Sequence, residues 1–295
     1  MDYSVREVSL QDPAVRRGAV AVLRDAFGGD LTEEKLVRNT SAGASRPSLY
    51  VAAMIGEEII GFNAFISHDL ILNGQAINCY QSCWTGTSSL HRGKKIFQNL
   101  ILSAHDILAA RGAGFVFGFP NDASYPLFTK KLNYRELPAL KWQMLNIPGA
   151  RGAWLADPPP DMAGLHRDAV LQNDRQLIAL KRGEYGADLL EESHEGSIAW
   201  GVRRAVTRRG VAIPYLDLGG FDLKRPDHLR PLLDRLRRKA GLVAYVQAVT
   251  IQGSAYNDLL ARVAPSQSNC LIVFDLNLDS RDLAFNFFGG VRDVY

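Results

Sequence analysis

The 295-residue sequence contains few cysteines, no long apolar run and little net charge. Its three cysteines form no disulfide framework, and no Cys-x-x-Cys pair or histidine-rich stretch accompanies them. We therefore expect buried, reduced thiols and no metal site. No stretch of about 20 apolar residues is present, so we predict no membrane span. A net charge of +3 is too small to favour nucleic acid as the main partner.

The remaining composition is that of an ordinary globular protein, with 47% hydrophobic and 22% charged residues. Residues 1–10 lack the apolar run of a secretory signal, so a cytoplasmic location is expected. A chain of 295 residues is long enough for two domains or one doubled unit.

The first half of the sequence alternates between strand and helix patterns. Asn73-Gly74 is a strong hairpin signal between two of the predicted strands. The predicted strands are 3–8, 49–54, 59–68, 76–87, 114–119 and 136–146. The predicted helices are 13–27, 31–39, a long helix that follows Lys95 and ends near Gly112, and 124–132.

The most informative segment runs from Cys83 to Lys95, where a strand leads through a turn into the long helix. The turn contains Arg92-Gly93-Lys94-Lys95. A small residue at such a bend lets several backbone N–H groups point at one anion. The following helix adds its unpaired first-turn N–H groups and the positive end of its dipole. This placement predicts a pyrophosphate site, although one glycine between basic residues is a weak motif alone.

The second half repeats the pattern in reduced form after a proline-rich stretch at 157–160, which indicates a linker. Its order of β-β-α-β-α-β matches the core of the first half, but the turn at 219–226 has no glycine at the helix start. We therefore predict two copies of one fold, with the phosphate turn only in the first. The predicted domains are 1–149 and 166–295, joined by a linker at 150–165.

The first half resembles the GCN5-related N-acetyltransferase (GNAT) superfamily. Its members bind the acetyl-CoA pyrophosphate on a motif of Gln or Arg, two residues, Gly, one residue, then Gly or Ala. Here Arg92, Gly93 and Lys94 fit that motif, whereas Leu90 and Lys95 depart from it. Residues 60–62 also fit a family strand. Residues 121–134 fit the helix before the last strand, with Asn133 where the family usually has glycine.

This resemblance implies an α/β (α+β) GNAT fold, a mixed and mostly antiparallel sheet flanked by helices, in two tandem domains. It implies acetyl-CoA as cosubstrate and no metal. Pantetheine is expected along the main chain of Trp84, Thr85, Gly86 and Thr87. The other expected cofactor contacts are Arg92, Gly93, Lys94, Lys95, Ile96 and Asn121.

The catalytic residues are less well indicated. The strands that usually supply the family's base contain no carboxylate here. Asp122 is the nearest acidic candidate, with a water chain or a second-domain residue as alternatives. Tyr125 is the candidate acid that protonates the CoA thiolate, or else it packs beside Pro126. Asn121 contacts pantetheine or caps a helix.

The predicted function is acetyl transfer from acetyl-CoA to the primary amine of a small metabolite by direct attack. The acceptor is expected to be an amino sugar, free or nucleotide-linked, or an amino-acid-like amine. Two alternatives stay open: a non-catalytic acyl-CoA-binding protein, and an aminoacyl or long-chain acyl transferase on the same doubled fold. The oligomeric state is open, with a homodimer as one option.

Overall fold

The computed structural model describes residues 2–41, 45–146, 155, 168–260 and 264–292. The chain divides into two compact units. The first comprises Met1–Asp69, Ile77–Glu136 and Ile272–Ser280. The second comprises Leu70–Ala76, Leu137–Leu271 and Arg281–Tyr295. The proline-rich stretch at 157–160 lies outside the described residues.

The first unit has the predicted order of helices and strands. Its helices are α1 (Pro13–Phe27), α2 (Glu33–Thr40), α3 (Ile96–Ala110) and α4 (Tyr125–Lys131). Its strands are β1 (Ser4–Val8), β2 (Leu49–Ile55), β3 (Glu58–Leu72), β4 (Gln75–Thr87) and β5 (Phe115–Gly118). The hydrophobic patterns of this half therefore predict both the kind and the sequence of its elements.

Helix α1 shows how local signals set these boundaries. The Asp12 carboxylate accepts a hydrogen bond from the Ala14 N–H at 2.8 Å and so caps the helix start. Gly28 ends the helix with a φ of 73°, a conformation that side chains with a β-carbon disfavour. The buried face of the helix consists of Ala19, Val20, Val22 and Leu23.

The sheet of the first unit is mixed. Its strand order begins β1-β2-β3-β4-β5, and the β1–β2 and β2–β3 pairs are antiparallel. Strands β4 and β5 run parallel and pair at Tyr80–Val116 and Gln81–Phe117. Residues 272–275 of β12 (Ser266–Asp275) pair antiparallel with β5.

The second unit contains more elements than the sequence predicts. Its strands are β6 (Arg135–Leu145), β7 (Ala169–Leu171), β8 (Leu189–His194), β9 (Ser197–Arg208), β10 (Val211–Asp222), β11 (Tyr245–Ile251), β12 and β13 (Ala284–Asn286). Its helices are α5 (Asp174–Tyr185), α6 (Leu229–Ala240) and α7 (Ala255–Leu259). The sheet order β6-β11-β10-β9-β8 includes one parallel pair, β10 with β11.

The order β-β-α-β-α-β predicted for the second half is present as β9, β10, α6, β11, α7 and β12, but the pattern misses β7, α5, β8 and β13. Strands β7 and β13 have three residues each, too few for a periodic pattern. Helix α5 buries the polar side chains of Asp174, Gln176 and Lys181, which weakens its apolar periodicity. With these elements, β7 to β12 run β-α-β-β-β-α-β-α-β. No helix in the described ranges is long and apolar enough to cross a membrane.

Three segments depart from the predicted domain ranges, and the first is Leu70–Ala76, which joins β3 to β4 and belongs to the second unit. From Leu137 onward β6 belongs to the second unit, where it pairs antiparallel with β11. Ile272–Ser280 belong to the first unit, where residues of β12 pair with β5. Local sequence does not encode which strand becomes a neighbour, so the pattern alone cannot reveal this assignment. The predicted division into two domains, 1–149 and 166–295 with a linker at 150–165, stays a prediction.

A buried imidazole lies in the aromatic core of the first unit. His105 of α3 stacks on Phe274 with ring centroids 4.2 Å apart, and its Nε2 lies 2.7 Å from the Tyr134 hydroxyl. Burial disfavours the charged ring and lowers the pKa of His105 to about 4. The imidazole is therefore neutral in the folded protein near pH 7.

Acidification should destabilise the protein through His105. The unfolded chain protonates this ring below about pH 6.5, whereas the folded protein keeps it neutral to a pH of about 4. The stability contributed by the neutral ring is present above the unfolded pKa and falls by about 3 kcal/mol by pH 4. Chemical denaturation from pH 7 to pH 4 should show a smaller loss in His105→Gln than in wild type. His91→Gln, at a half-buried histidine, is the control, and equal losses in wild type and His105→Gln would contradict the assignment.

Candidate functional site

The candidate site begins where two parallel strands stop pairing. Strand β4 continues to Thr87, while β5 ends at Gly118 and its last pair with β4 is Gln81–Phe117. Within described residues 77–119, the β4 main chain therefore has no β5 partner after this point. Backbone N–H and C=O groups need partners, so this stretch offers an extended ligand a row of hydrogen bonds.

The four predicted pantetheine residues present main chain rather than side chains. Trp84 has a φ of 51° and buries its indole in the core cluster that includes α1, leaving it 8% exposed. A β-carbon added at Gly86 would lie 3.1 Å from Leu23 Cδ2, so α1 covers this strand closely. The Thr85 hydroxyl accepts a hydrogen bond from Asn63 Nδ2. The buried Thr87 hydroxyl has no hydrogen-bond partner among the described residues.

The predicted phosphate turn follows directly. Gly93 and Lys95 adopt left-handed conformations, with φ of 80° and 59°. Arg92, Gly93, Lys94 and Lys95 are all exposed, and within the described chain no side chain caps the α3 start at Lys95. The first-turn N–H groups of α3, the helix dipole and the cationic side chains therefore meet at one surface, a favourable arrangement for an anion. Lys95 takes the left-handed conformation at the position where the family motif has Gly or Ala.

The turn is held at both ends. The Ser89 N–H donates to Asp25 Oδ2 at 2.6 Å, and this bond is the main cause that lowers the pKa of the Asp25 carboxyl. Tyr3 donates its hydroxyl proton to the Lys94 carbonyl at 3.2 Å and accepts a hydrogen bond from Asn99 Nδ2 at 2.6 Å. These contacts fix the backbone of the turn while its basic side chains stay exposed.

Ile96 positions the start of α3 rather than projecting toward a ligand. Its side chain is 2% exposed. A β-carbon added at Gly61 would lie 2.6 Å from Ile96 Cγ2 and 3.2 Å from Leu100 Cδ1. Helix α3 therefore packs on β3 at a distance that only glycine allows.

The three candidates near α4 have different surroundings. Asn121 Oδ1 accepts the Ser124 N–H at 2.9 Å in the turn that precedes α4, and its roles as a pantetheine contact or a helix cap both stay predictions. The Asp122 side chain is exposed. The Tyr125 hydroxyl donates a hydrogen bond to Glu136 Oε2. Sequence reasoning did not select Glu136, because a carboxylate at the start of β6 resembles any surface residue.

A second polar pair was also missed. His68 Nε2 lies 3.1 Å from Gln81 Oε1, both side chains are buried, and the His68 ring lies 5.4 Å from that of Phe117. This pair therefore lies at the point where β4 and β5 stop pairing. Polar residues within two otherwise apolar strands were the signal that could have found it.

Residues 8–136 match the family model described as an acetyltransferase (GNAT) domain. This part of the chain belongs to the GNAT family. The resemblance inferred from the predicted phosphate turn is thereby confirmed, and this part of the chain is an acetyltransferase domain of that family. A search of curated proteins gives no significant match.

Solved structures share the fold over nearly the whole chain. A conserved protein of unknown function from Enterococcus faecalis, described as a probable N-acyltransferase, has a TM-score of 0.63 and 10% identity, covering 95% of this chain and 74% of its own. A GCN5-related N-acetyltransferase from Anabaena variabilis has a TM-score of 0.64 and 11% identity, with coverages of 94% and 73%. A putative acetyltransferase from Pyrococcus horikoshii has a TM-score of 0.53 and 12% identity, with coverages of 99% and 96%. The GNAT fold class predicted from sequence is confirmed.

Gly61→Ala should damage both stability and the phosphate turn. The added methyl meets Ile96 at a distance that forces α3 or β3 to move, so the free energy of unfolding should fall by about 1–3 kcal/mol. The same displacement should weaken CoA binding, measured by calorimetry on the folded variant. Gly114→Ala is the matched control, because its β-carbon would lie 3.4 Å from Leu278, an ordinary contact. Wild-type stability and affinity in Gly61→Ala would contradict the packing argument.

Proposed function

We propose that the protein transfers the acetyl group of acetyl-CoA to the primary amine of a small metabolite by direct attack. The observation that carries the proposal is the exposed left-handed turn at Gly93 and Lys95. It follows the end of β4, where the main chain no longer pairs with β5. Together they offer one contact surface for a pyrophosphate and one for an extended amide-containing arm. That pairing fits the two ends of a CoA molecule.

Separate groups of residues would hold the two ends. Arg92, Lys94 and Lys95 supply charge around the pyrophosphate, and the backbone from Gly93 to Ile96 supplies N–H donors. The main chain of Trp84, Thr85, Gly86 and Thr87 would pair with the pantetheine amides. Asn121 stays a prediction for this arm, since its amide oxygen already accepts the Ser124 N–H.

Bound acetyl-CoA supplies the acetyl group as a thioester. The acceptor nitrogen must lose a proton, and the departing sulfur must gain one. We assign the second task to Tyr125, whose hydroxyl is held by Glu136. We assign the first to Asp122 or to a water chain that it orients, because the described residues of β4 after Gln81 and of β5 include no carboxylate.

The second unit supports a stoichiometry of one CoA per chain. Strands β10 and β11 also run parallel and stop pairing, after Asp217–Gln247. Here the protein's own chain occupies the gap: Phe288 forms an antiparallel bridge with Thr250, and a β-carbon added at Gly290 would lie 2.3 Å from the Gly219 carbonyl oxygen. Among its described residues, the gap between β10 and β11 therefore leaves no open strand for a pantetheine arm.

The acceptor is the least constrained part of the proposal. An amino sugar, free or nucleotide-linked, or an amino-acid-like amine suits a family that acylates primary amines. Thiol release from acetyl-CoA with a panel of such amines identifies the acceptor. CoA binding without thiol release across the panel would favour the alternative of a non-catalytic acyl-CoA-binding protein.

The double variant Arg92→Ala plus Lys94→Ala should bind CoA more weakly. Loss of two charge-assisted contacts to the pyrophosphate costs roughly 1–3 kcal/mol, about a 5- to 150-fold rise in Kd. Isothermal titration with CoA measures this, with one site per chain expected in wild type.

The matched control is Lys130→Ala plus Lys131→Ala, which removes two exposed lysines from the end of α4. It should keep the wild-type Kd. An equal loss in both double variants would mean that net charge, rather than the turn, governs affinity. Absence of CoA binding to wild type would overturn the proposal.

Tyr125→Phe should lower turnover at saturating acetyl-CoA by roughly tenfold or more, since general-acid catalysis is lost. The KM for acetyl-CoA should change little, because the ring remains. Thiol release with the best amine of the panel provides the measurement. Tyr245→Phe, at a half-buried tyrosine of the second unit, is the control. A wild-type rate in Tyr125→Phe would remove this residue from the mechanism.

A further inference from the structure

Two imidazoles and a carboxylate meet in the second unit, and none of the three has a role in the proposed acetyl transfer. They are His194 at the end of β8, Glu195 in the turn that follows, and His228 immediately before α6. One ligand atom from each lies within 4.8 Å of the others. Neutral imidazole and carboxylate are the side chains that divalent transition-metal ions bind in proteins.

The separations suit coordination. His228 Nε2 lies 3.4 Å from Glu195 Oε2, and the two imidazole rings stand at 63° with centroids 4.9 Å apart. Metal–nitrogen bonds of about 2.0–2.1 Å place neighbouring tetrahedral ligands roughly 3.3 Å apart. The pair therefore already has the spacing of two ligands of one ion. Glu195 is exposed and His194 is half-buried, so small side-chain movements bring the third ligand in.

The most buried ligand is oriented by a second interaction. His228 is 4% exposed, and its Nδ1 lies 2.9 Å from the hydroxyl of fully buried Ser197. Ser197 Oγ also accepts the Lys224 N–H at 2.7 Å. When His228 Nδ1–H donates to this hydroxyl, the lone pair of Nε2 points toward Glu195. Metal-bound histidines commonly use their other ring nitrogen in this way.

Nearby cations have carboxylate partners of their own. Arg225 Nη2 pairs with Asp227 Oδ2 at 2.7 Å, and Lys224 Nζ lies 3.5 Å from Asp222 Oδ1. Their positive charges are therefore offset locally. Glu195 pairs with His228 in the metal-free protein and can turn to a cation without breaking a helix or a strand.

We propose that His194, Glu195 and His228 bind one divalent transition-metal ion, of which Zn²⁺ is the best fit to two nitrogens and one carboxylate oxygen. The fourth position faces solvent through exposed Glu195. The ion would tie the β8–β9 hairpin to the start of α6. The proposal does not rest on the acetyltransferase assignment.

The site lies at the same place in the order of elements as the predicted phosphate turn of the first unit. In the first unit, the turn between a long strand and its following helix carries the phosphate-binding residues that precede α3. In the second, the corresponding turn between β10 and α6 ends at His228. The same position in the element order would thus hold a cation instead of an anion. The sequence expectation of no metal site relied on short-range spacing, which this site does not have.

The test is a Zn²⁺ titration of the untagged full chain without CoA, by calorimetry and by competition with a chromophoric chelator. Wild type should bind one ion per chain in the micromolar range. His194→Gln and Glu195→Gln should each weaken binding by roughly tenfold or more. Both side chains lie at or beside an exposed turn, so the fold should survive. Zn²⁺ should also raise the Tm of wild type but not of the double variant His194→Gln plus Glu195→Gln.

Glu57→Gln is the matched control, because Glu57 is likewise an exposed glutamate in a glycine-containing hairpin turn. It should bind Zn²⁺ as wild type does. Co²⁺ gives a second readout: visible absorption bands should appear in wild type and Glu57→Gln and be lost in the two site variants. Absence of micromolar binding to wild type would overturn the proposal. Equal affinity in wild type, His194→Gln and Glu195→Gln would do so as well.

Discussion

The hydrogen bonds between β4 and β5 end at the Gln81–Phe117 pair, and β4 then continues alone to Thr87. Main-chain groups released from a sheet must be satisfied by something else. The packing around residues 82–87 of β4 follows from that requirement. Trp84 turns its indole into the core through a left-handed backbone, Gly86 lets α1 cover one side, and the open edge is left to a ligand.

The second unit meets the same requirement differently. Where β10 and β11 stop pairing, Phe288 bridges to Thr250 and donates its N–H to Gln172 Oε1 at 2.9 Å. Gln172 in turn donates to Asp174, whose complete burial raises the pKa of its carboxyl well above the usual range. One constraint therefore has two outcomes in one chain: an unpaired stretch of β4 in the first unit, where we propose that a ligand binds, and an internal peptide segment in the second.

Much of the first unit could be predicted because its signals are local. Asn73 and Gly74 adopt the left-handed turn that their dipeptide predicts, and Asp12 caps α1 as expected. The turn at Gly93 and the start of α3 could also be predicted, since glycine, charge and helix start are neighbours in sequence. The hydrogen bond between Tyr125 and Glu136 was not, because it joins a helix to a strand through their relative placement.

The elements of the second unit were harder to predict from the sequence for a physical reason. Its short strands carry no period, and α5 is held partly by buried polar groups such as Asp174. The partners of β6 and β12 depend on the tertiary arrangement. The alternation of hydrophobic residues along a strand does not specify which strand it pairs with. The cluster of His194, Glu195 and His228 likewise joins residues from two separate turns, so no motif of fixed spacing could reveal it.

The membership of Ile272–Ser280 in the first unit has a consequence for biosynthesis. A ribosome adds roughly 5–20 residues each second and domains generally fold as they emerge. The open edge of β5 cannot receive its neighbour until residues near the far end of the chain have been made. Until then, the nascent first unit has an unpaired strand edge at β5. Chaperones protect surfaces of this kind. Most of the first unit is therefore synthesised well before residues 272–280, and its sheet is completed only when they have been made.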